Sequence, residues 1–283
     1  MLVSGMDILQ KAHEGNYAVG AFNVSNLEMV QAVIAAAEEE RSPVILQASQ
    51  SAITYAGSEV LALIVRKMAE MATVPVALHL DHGTDWDVIM KCLRDGWTSI
   101  MYDGSKSSLE ENIKVTKQVI DIAKPMGVSV EAELGKIGGV EDNVNISDRE
   151  ASMTDPEEAV LFYKQTGVDF LAIAIGNAHG VYKGKPELDF NRLETIKKAL
   201  NIPVVLHGAS GISEEDIKKA VSLGVNKINI DTDLRQAFQR AVHKFIAEKP
   251  DAYDPRKILG PGTEAIKEVV KTKIKIFGSN NKA

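Results

Sequence analysis

Eight short apolar runs rich in β-branched residues recur along the 283-residue chain, most followed by a longer segment with helical spacing. The runs are AVGAFNV (18–24), PVILQA (43–48), PVALHL (75–80), SIMYD (99–103), VSVEAEL (128–134), FLAIAIG (170–176), PVVLHG (203–208) and NKINID (226–231). They lack the alternation expected of a strand with one face in water, so they read as parallel strands covered on both faces. Helices are expected over Leu27–Arg41, Ser58–Met71, Asp85–Asp95, Leu109–Met126, Pro156–Thr166, Phe190–Leu200 and Ser213–Leu223, with starts at Asn26, Thr154-Asp155-Pro156 and Ser213. Repeated βα units predict an α/β fold, a closed (β/α)8 TIM barrel. The alternative is a doubly wound open sheet, which usually carries a glycine-rich turn after its first strand; here that turn reads AFNVSNLE.

Two stretches break the repeat. Residues 135–156, GKIGGVEDNVNISDREASMTDP, are too long, polar and glycine-bearing for a plain βα connection and are expected to form a mobile lid. Beyond about residue 247 come DAYDPRKILGPG and a helical stretch, Thr263–Phe277, expected as a C-terminal helical arm for packing or subunit contacts. No low-complexity linker divides the chain, so residues 1–283 read as a single domain. The net charge of −7, with no basic stretch, argues against a nucleic-acid partner. No run approaches the roughly 20 apolar residues of a membrane span, and the N-terminus does not read as a secretion signal. The single cysteine, Cys92, excludes an internal disulfide and a thiolate cluster and fits a reducing compartment, by default the cytoplasm.

In a barrel the working residues lie at the C-terminal ends of the strands. The polar residues there are Asn23, Ser49, Asp81, His82, Asp103, Glu131, Glu133, Asn177, His179, His207, Ser210, Asn229, Asp231 and Thr232. Three of the six histidines, His82, His179 and His207, fall at or just past the ends of the third, sixth and seventh strands. Three converging imidazoles are the ligand set of a catalytic zinc with an open fourth position. His79 lies inside the third strand and reads as an interior or supporting group, whereas His13 and His243 read as surface residues of helices.

Each of the three is followed by glycine, which lets backbone approach a substrate closely. The loops HGASGIS (207–213) and NIDTD (229–233), the latter leading into a helix, lie where barrels often bind phosphate, and Lys183 supplies a cation. Asp81, beside a proposed ligand, can donate or accept a proton, or else orient a histidine. Glu141 rides on the expected lid and enters the site if the lid closes.

Taken in order, YAVGAFNVSNLE (17–28), SPVILQAS (42–49), HLDHG (79–83), VEAELGKIGG (130–139), GNAHGVYKG (176–184), LHGASGI (206–212), KINIDTDLR (227–235) and YDPRKILGP (253–261) resemble the class II fructose-bisphosphate aldolases over essentially the whole chain. The resemblance implies Zn2+ on His82, His179 and His207, with Co2+ able to substitute, and Asp103 and Glu133 as a displaced metal position. It implies Asp81 protonating the aldehyde oxygen during cleavage, Glu141 in proton transfer, and a monovalent cation, Na+ or K+. One substrate phosphate would lie on Gly180, Lys183, Gly208, Ser210 and Thr232, the other on Ser49 and Arg256. Asn23 and Asn229 complete the substrate-binding set. In relatives that arginine comes from a neighbouring subunit, which implies a homo-oligomer, dimer or tetramer.

The expected reaction is reversible, metal-dependent cleavage of fructose 1,6-bisphosphate, a small phosphorylated sugar. Tagatose 1,6-bisphosphate is the rival substrate within the family, and Asp231, kept here in NIDTD, favours fructose. A lysine Schiff base has no candidate except Lys227, at the wrong end of the eighth strand. A zinc hydrolase on the same barrel is a second reading, but it usually carries an HxH pair on the first strand, and AFNV has none. A non-catalytic scaffold would leave ligands, acid and phosphate loops at one face unexplained.

Overall fold

The computed structural model describes the chain except for residues 142, 143, 147–150, 183 and 185, and it describes residues 140, 141 and 144–146 only as backbone. The eight expected strands are β1 Val19–Asn23, β2 Val44–Ser49, β3 Val76–Gly83, β4 Ser99–Tyr102, β5 Ser129–Leu134, β8 Phe170–Ile173, β10 Val204–Leu206 and β11 Val225–Ile230. They pair in parallel and close in the order β1-β11-β10-β8-β5-β4-β3-β2, the last strand bonding back to the first. Each is buried along its whole length, as continuous apolarity requires.

The outer ring is α2 Leu27–Glu39, α4 Ser58–Met71, α5 Trp86–Arg94, α6 Leu109–Ala123, α7 Pro156–Thr166, α8 Phe190–Leu200, α9 Glu214–Ser222 and α10 Thr232–Glu248. The caps read in the sequence form: Asn26 accepts from Met29 N–H, Asp155 from Glu157 and Glu158, and Ser213 from Asp216. The helix expected over 109–126 changes to a 3-10 turn at Lys124–Met126, where Pro125 cannot donate an amide hydrogen.

The sequence pattern did not delimit two helices, α1 Gly5–Gly15 and α3 Gln50–Ala56. Ile8, Leu9 and Ala12 of α1 pack with Ala21, Ile45, Ala77, Phe170, Ala172 and Val205, which plugs the barrel interior. His13 is accordingly not a free surface residue; its Nδ1 lies 2.7 Å from Lys197 Nζ.

The segment expected as a lid contains regular structure: β6 Gly138–Glu141 and β7 Val144–Ile146 form an antiparallel pair, and β6 pairs in parallel with β9 Ala178–His179. The expected sixth strand therefore ends at Ile173, and the chain re-enters a second sheet at Ala178.

The C-terminal arm packs into the wall: α11 Pro255–Phe277 lies against α2 and α10. Ile266, Val270, Ile274 and Phe277 are fully buried, and the Phe277 carbonyl accepts from Ala18 N–H, ahead of β1. Phe277→Ala is therefore expected to lower unfolding free energy by about 3–5 kcal/mol, the usual cost of emptying a core phenylalanine site. Equilibrium denaturation checks this, and a loss under 1 kcal/mol would mean the arm is dispensable.

Candidate metal centre

Strand alternation places the site. On β3, β5 and β11 alternate residues project into the barrel, giving His79 and Asp81, Glu131 and Glu133, and Lys227 and Asn229, all buried. His82 breaks that alternation: the β3–β4 register shifts between Leu80 and Gly83, and His82 takes a left-handed φ of 48°. A non-glycine residue there stores strain, and here it turns an imidazole toward the centre. His179 arrives on β9 and His207 just past β10.

The three imidazoles meet. Ring centroids of His82 lie 4.8 Å from His179 and 4.7 Å from His207, and one nitrogen of each ring falls within 4.8 Å of the others. His82 Nε2 and His207 Nδ1 stand 3.0 Å apart. A second group, His82 with Asp103 and Glu133, meets the same distance test. Asp103 Oδ2 lies 2.9 Å from His82 Nδ1, while its Oδ1 accepts from Ser105.

Glu133 Oε2 is buried with no hydrogen-bond partner among the described residues, 3.5 Å from His207 Nδ1. An orphan buried carboxylate oxygen facing convergent imidazole nitrogens is a donor set that lacks its acceptor, and a divalent cation fits it. Burial opposes charge on His82, but the Asp81, Asp103 and Glu133 carboxylates outweigh it and hold this imidazolium well above the ordinary histidine range. Burial and the His82 charge push His179 and His207 well below it. Burial, then the Asp103 charge, lifts the Glu133 carboxyl well above the usual range.

Asp81 sits in a cradle of amides. Its Oδ2 accepts from Asn23 Nδ2 at 2.9 Å and Gln47 Nε2 at 3.1 Å, and its Oδ1 from Asn229 Nδ2 at 3.2 Å. Gln47 also donates to Asn23 Oδ1 at 2.7 Å, so three strands fix one carboxylate. Asp81 Oδ1 is 3.9 Å from His82 Nε2, beside the ligand triangle without joining it.

Around the mouth, Ser49 caps α3, and Asp231 takes Arg235 Nε at 2.6 Å. α10 begins at Thr232 without a side-chain cap from Asp231, and Ser210 Oγ accepts from Asp233 N–H at 3.3 Å. Asn23, Ser49, Asp231 and Arg235 line one small recess, which shares Ser25, Met29, Ala52 and Arg235 with an outer hollow of about 380 Å3.

Glycine beside the ligands serves the protein's own close packing. A Cβ on Gly208 (φ 60°) would stand 2.2 Å from the Ala178 carbonyl oxygen, and one on Gly139 (φ 98°) 2.2 Å from that of His179. Gly180 has a left-handed φ of 79°. Tyr182 clips the same loops together, its hydroxyl accepting from Ala178 N–H at 2.9 Å and donating to the Gly208 carbonyl at 2.8 Å. Arg256 is not brought to the site: its side chain is 89% exposed on the first turn of α11, paired with Asp254. Lys183 and the Glu141 side chain lie outside the described residues.

The family model for fructose-bisphosphate aldolase class II matches residues 3–282. The chain belongs to the class II fructose-bisphosphate aldolase family. It is 47% identical to the fructose-bisphosphate aldolase of Thermus caldophilus, with all of both chains covered. It is 44% identical to the sulfofructosephosphate aldolase of Alkalicoccus urumqiensis, over 99% of this chain and 98% of that one. The crystal structure of the YdjI aldolase from Escherichia coli K12 superposes with a TM-score of 0.88 at 40% identity, covering 100% of both chains.

Sequence reasoning gave this aldolase site no part for Gln47, Arg235 or Tyr182. Gln47 is marked by Asn23 and Asp81 on neighbouring strands, Tyr182 by the Gly208 carbonyl, and Arg235 by Asp231 four residues before it. Because β6 is bonded directly to β9, Gly139→Ala is expected to displace His179 and weaken divalent-metal binding on the order of tenfold, the scale of disturbing a group that orients a ligand. Chelator competition measures this; an unchanged dissociation constant would show the two strands to be independent.

Proposed function

We propose that this class II aldolase cleaves fructose 1,6-bisphosphate reversibly into dihydroxyacetone phosphate and glyceraldehyde 3-phosphate. The observation that carries the reading is the convergence of His82, His179 and His207 beside an amide-cradled Asp81, in a chain matched along its whole length by the family. The three histidines would hold one Zn2+, with Co2+ able to replace it, and Asp103 and Glu133 offer a second position deeper in. Bound there, the cation polarises the ketose carbonyl and provides the electron sink for carbon–carbon cleavage.

Proton balance assigns Asp81. Breaking the C3–C4 bond turns the C4 hydroxyl into an aldehyde, so in cleavage that proton leaves the sugar and Asp81 accepts it; donation to the aldehyde oxygen belongs to condensation. This reverses the direction given by the family resemblance. Asn23, Gln47 and Asn229 hold the carboxylate in position for both directions, and Glu141 exchanges the proton required at C3.

One phosphate is assigned to Gly180, Lys183, Gly208, Ser210 and Thr232, where the start of α10 favours an anion, with Na+ or K+ beside it. The other is assigned to Ser49 and, from another copy of the chain, Arg256, whose exposure on its own subunit supports a homo-oligomer. No helix among the described residues is long and apolar enough to cross a membrane. Cytoplasm is the compartment this reading carries.

Chelation is expected to abolish cleavage and Zn2+ or Co2+ to restore it, while borohydride with substrate traps no adduct. Trapping on a lysine would overturn the reading. Asp81→Ala and Glu141→Ala are expected to keep the metal and lose about 10²–10⁴ in kcat, the contribution of a positioned proton-transfer group. Metal analysis beside steady-state kinetics separates that outcome from simple loss of the centre.

Asp231, fixed by Arg235 at the mouth, is proposed to favour fructose over tagatose bisphosphate, epimers that differ at one hydroxyl. A fixed polar group pairs one orientation and leaves the other poorly met, a difference of roughly 1–3 kcal/mol. Asp231→Ala is expected to narrow the ratio of kcat/KM values for the two sugars. Equal loss on both would assign Asp231 to structure alone.

A further inference from the structure

Beneath the metal centre the barrel holds a buried charge pair that proton transfer and phosphate binding leave unused. Glu131 precedes Glu133 by two residues on β5, so both carboxylates enter the barrel, one layer apart. Glu131 Oε1 lies 2.7 Å from His207 Nε2. Its Oε2 lies 2.8 Å from Lys227 Nζ and 3.3 Å from His79 Nε2. His79 Nδ1 is in turn 2.7 Å from Ser99 Oγ. Glu131, Lys227, His79 and His207 are all fully buried.

The chemistry of the pair decides how His207 faces the centre. An ionised carboxylate only accepts, so Nε2 of His207 carries the hydrogen and the lone pair lies on Nδ1. Nδ1 is the atom 3.0 Å from His82 Nε2, inside the ligand triangle. His82 is turned the opposite way, with Nδ1 against Asp103 and Nε2 in the triangle. Each of these two histidines has its own carboxylate, but the two anchors differ: Asp103 rests on Ser105, whereas Glu131 is gripped by an ammonium as fully buried as itself. A buried carboxylate without that partner would be strongly unfavourable, which ties the place of Glu131 to Lys227.

We propose that Glu131, held by Lys227, is the positioning residue that makes Nδ1 the metal-facing nitrogen of His207, and that Lys227 acts on the metal through it. This gives the only lysine of the barrel strands an orienting part in place of a covalent one. The proposal rests on the metal-centre reading above, and its test separates the two.

Nitrogen-15 histidine spectra of the wild-type protein, recorded without metal and with Zn2+, are expected to show His207 shifting at Nδ1 while Nε2 stays protonated. Metal on Nε2 of His207 would overturn the proposal alone; histidine resonances indifferent to Zn2+ would overturn it together with the metal centre. Glu131→Gln and Lys227→Met are each expected to weaken Zn2+ binding about 10–100-fold by chelator competition, the range for a group supporting a metal ligand. The double variant should lose less than the product of the two single losses, because both act through one contact. Circular dichroism and metal-free melting identify the folded variants, and a folded variant binding Zn2+ within threefold of wild type would overturn the proposal. If neither variant folds, the wild-type spectra decide.

Discussion

Charge inside a closed barrel has to be matched within hydrogen-bond distance, because the surroundings no longer solvate it, and the upper half of this barrel is built around that requirement. Asp81 is matched by three amides, Asp103 by His82 and Ser105, and Glu131 by Lys227 and His207. Glu133 is the exception, with one oxygen unpartnered among the described residues at the place where three imidazole nitrogens also converge. An unmet carboxylate oxygen at that point is what a cation bound as proposed would satisfy, and the matched groups hold its surroundings in place.

The same economy of position governs the backbone. His82 is held at a left-handed φ by the β3–β4 irregularity, and Gly139 and Gly208 approach neighbouring carbonyls more closely than any side chain allows. As a result the hairpin that carries Glu141, the strand that carries His179 and the turn after His207 form one hydrogen-bonded unit. A displacement of β6 is therefore expected to reach His179 through the β6–β9 pairing.

Away from the site, α1 fills the barrel interior and α11 seals the wall against α2. Just before α11 and on its first turn, Tyr253 and the Arg256 side chain project outward, 92% and 89% exposed, beside an open hollow of about 930 Å3. An arginine so placed serves its own chain little. The proposed reach of Arg256 into another copy of the chain is compatible with that exposure.

The sequence by itself determined the eight strands, their parallel arrangement and the histidines at their C-terminal ends, because continuous apolarity, helical spacing and capping residues are properties of neighbouring positions. Legible in the same way were a helix start near Leu234, two residues past the observed start at Thr232, and the polar residues crowded past each strand. Only the tertiary structure decided which of them meet. Gln47 reads as one polar residue in an apolar run until it is seen bonded to Asp81, 34 positions away. Lys227 reads as misplaced until Glu131, 96 positions distant, appears beneath His207. How the arm and the segment after the fifth strand pack was hidden for the same reason: the burial of α11 and the pairing of β6 with β9 depend on surfaces contributed by remote parts of the chain. Local pattern fixes what a segment can become, whereas the partner of a buried charge or an open strand edge is fixed by closure of the barrel, which no window of the sequence contains.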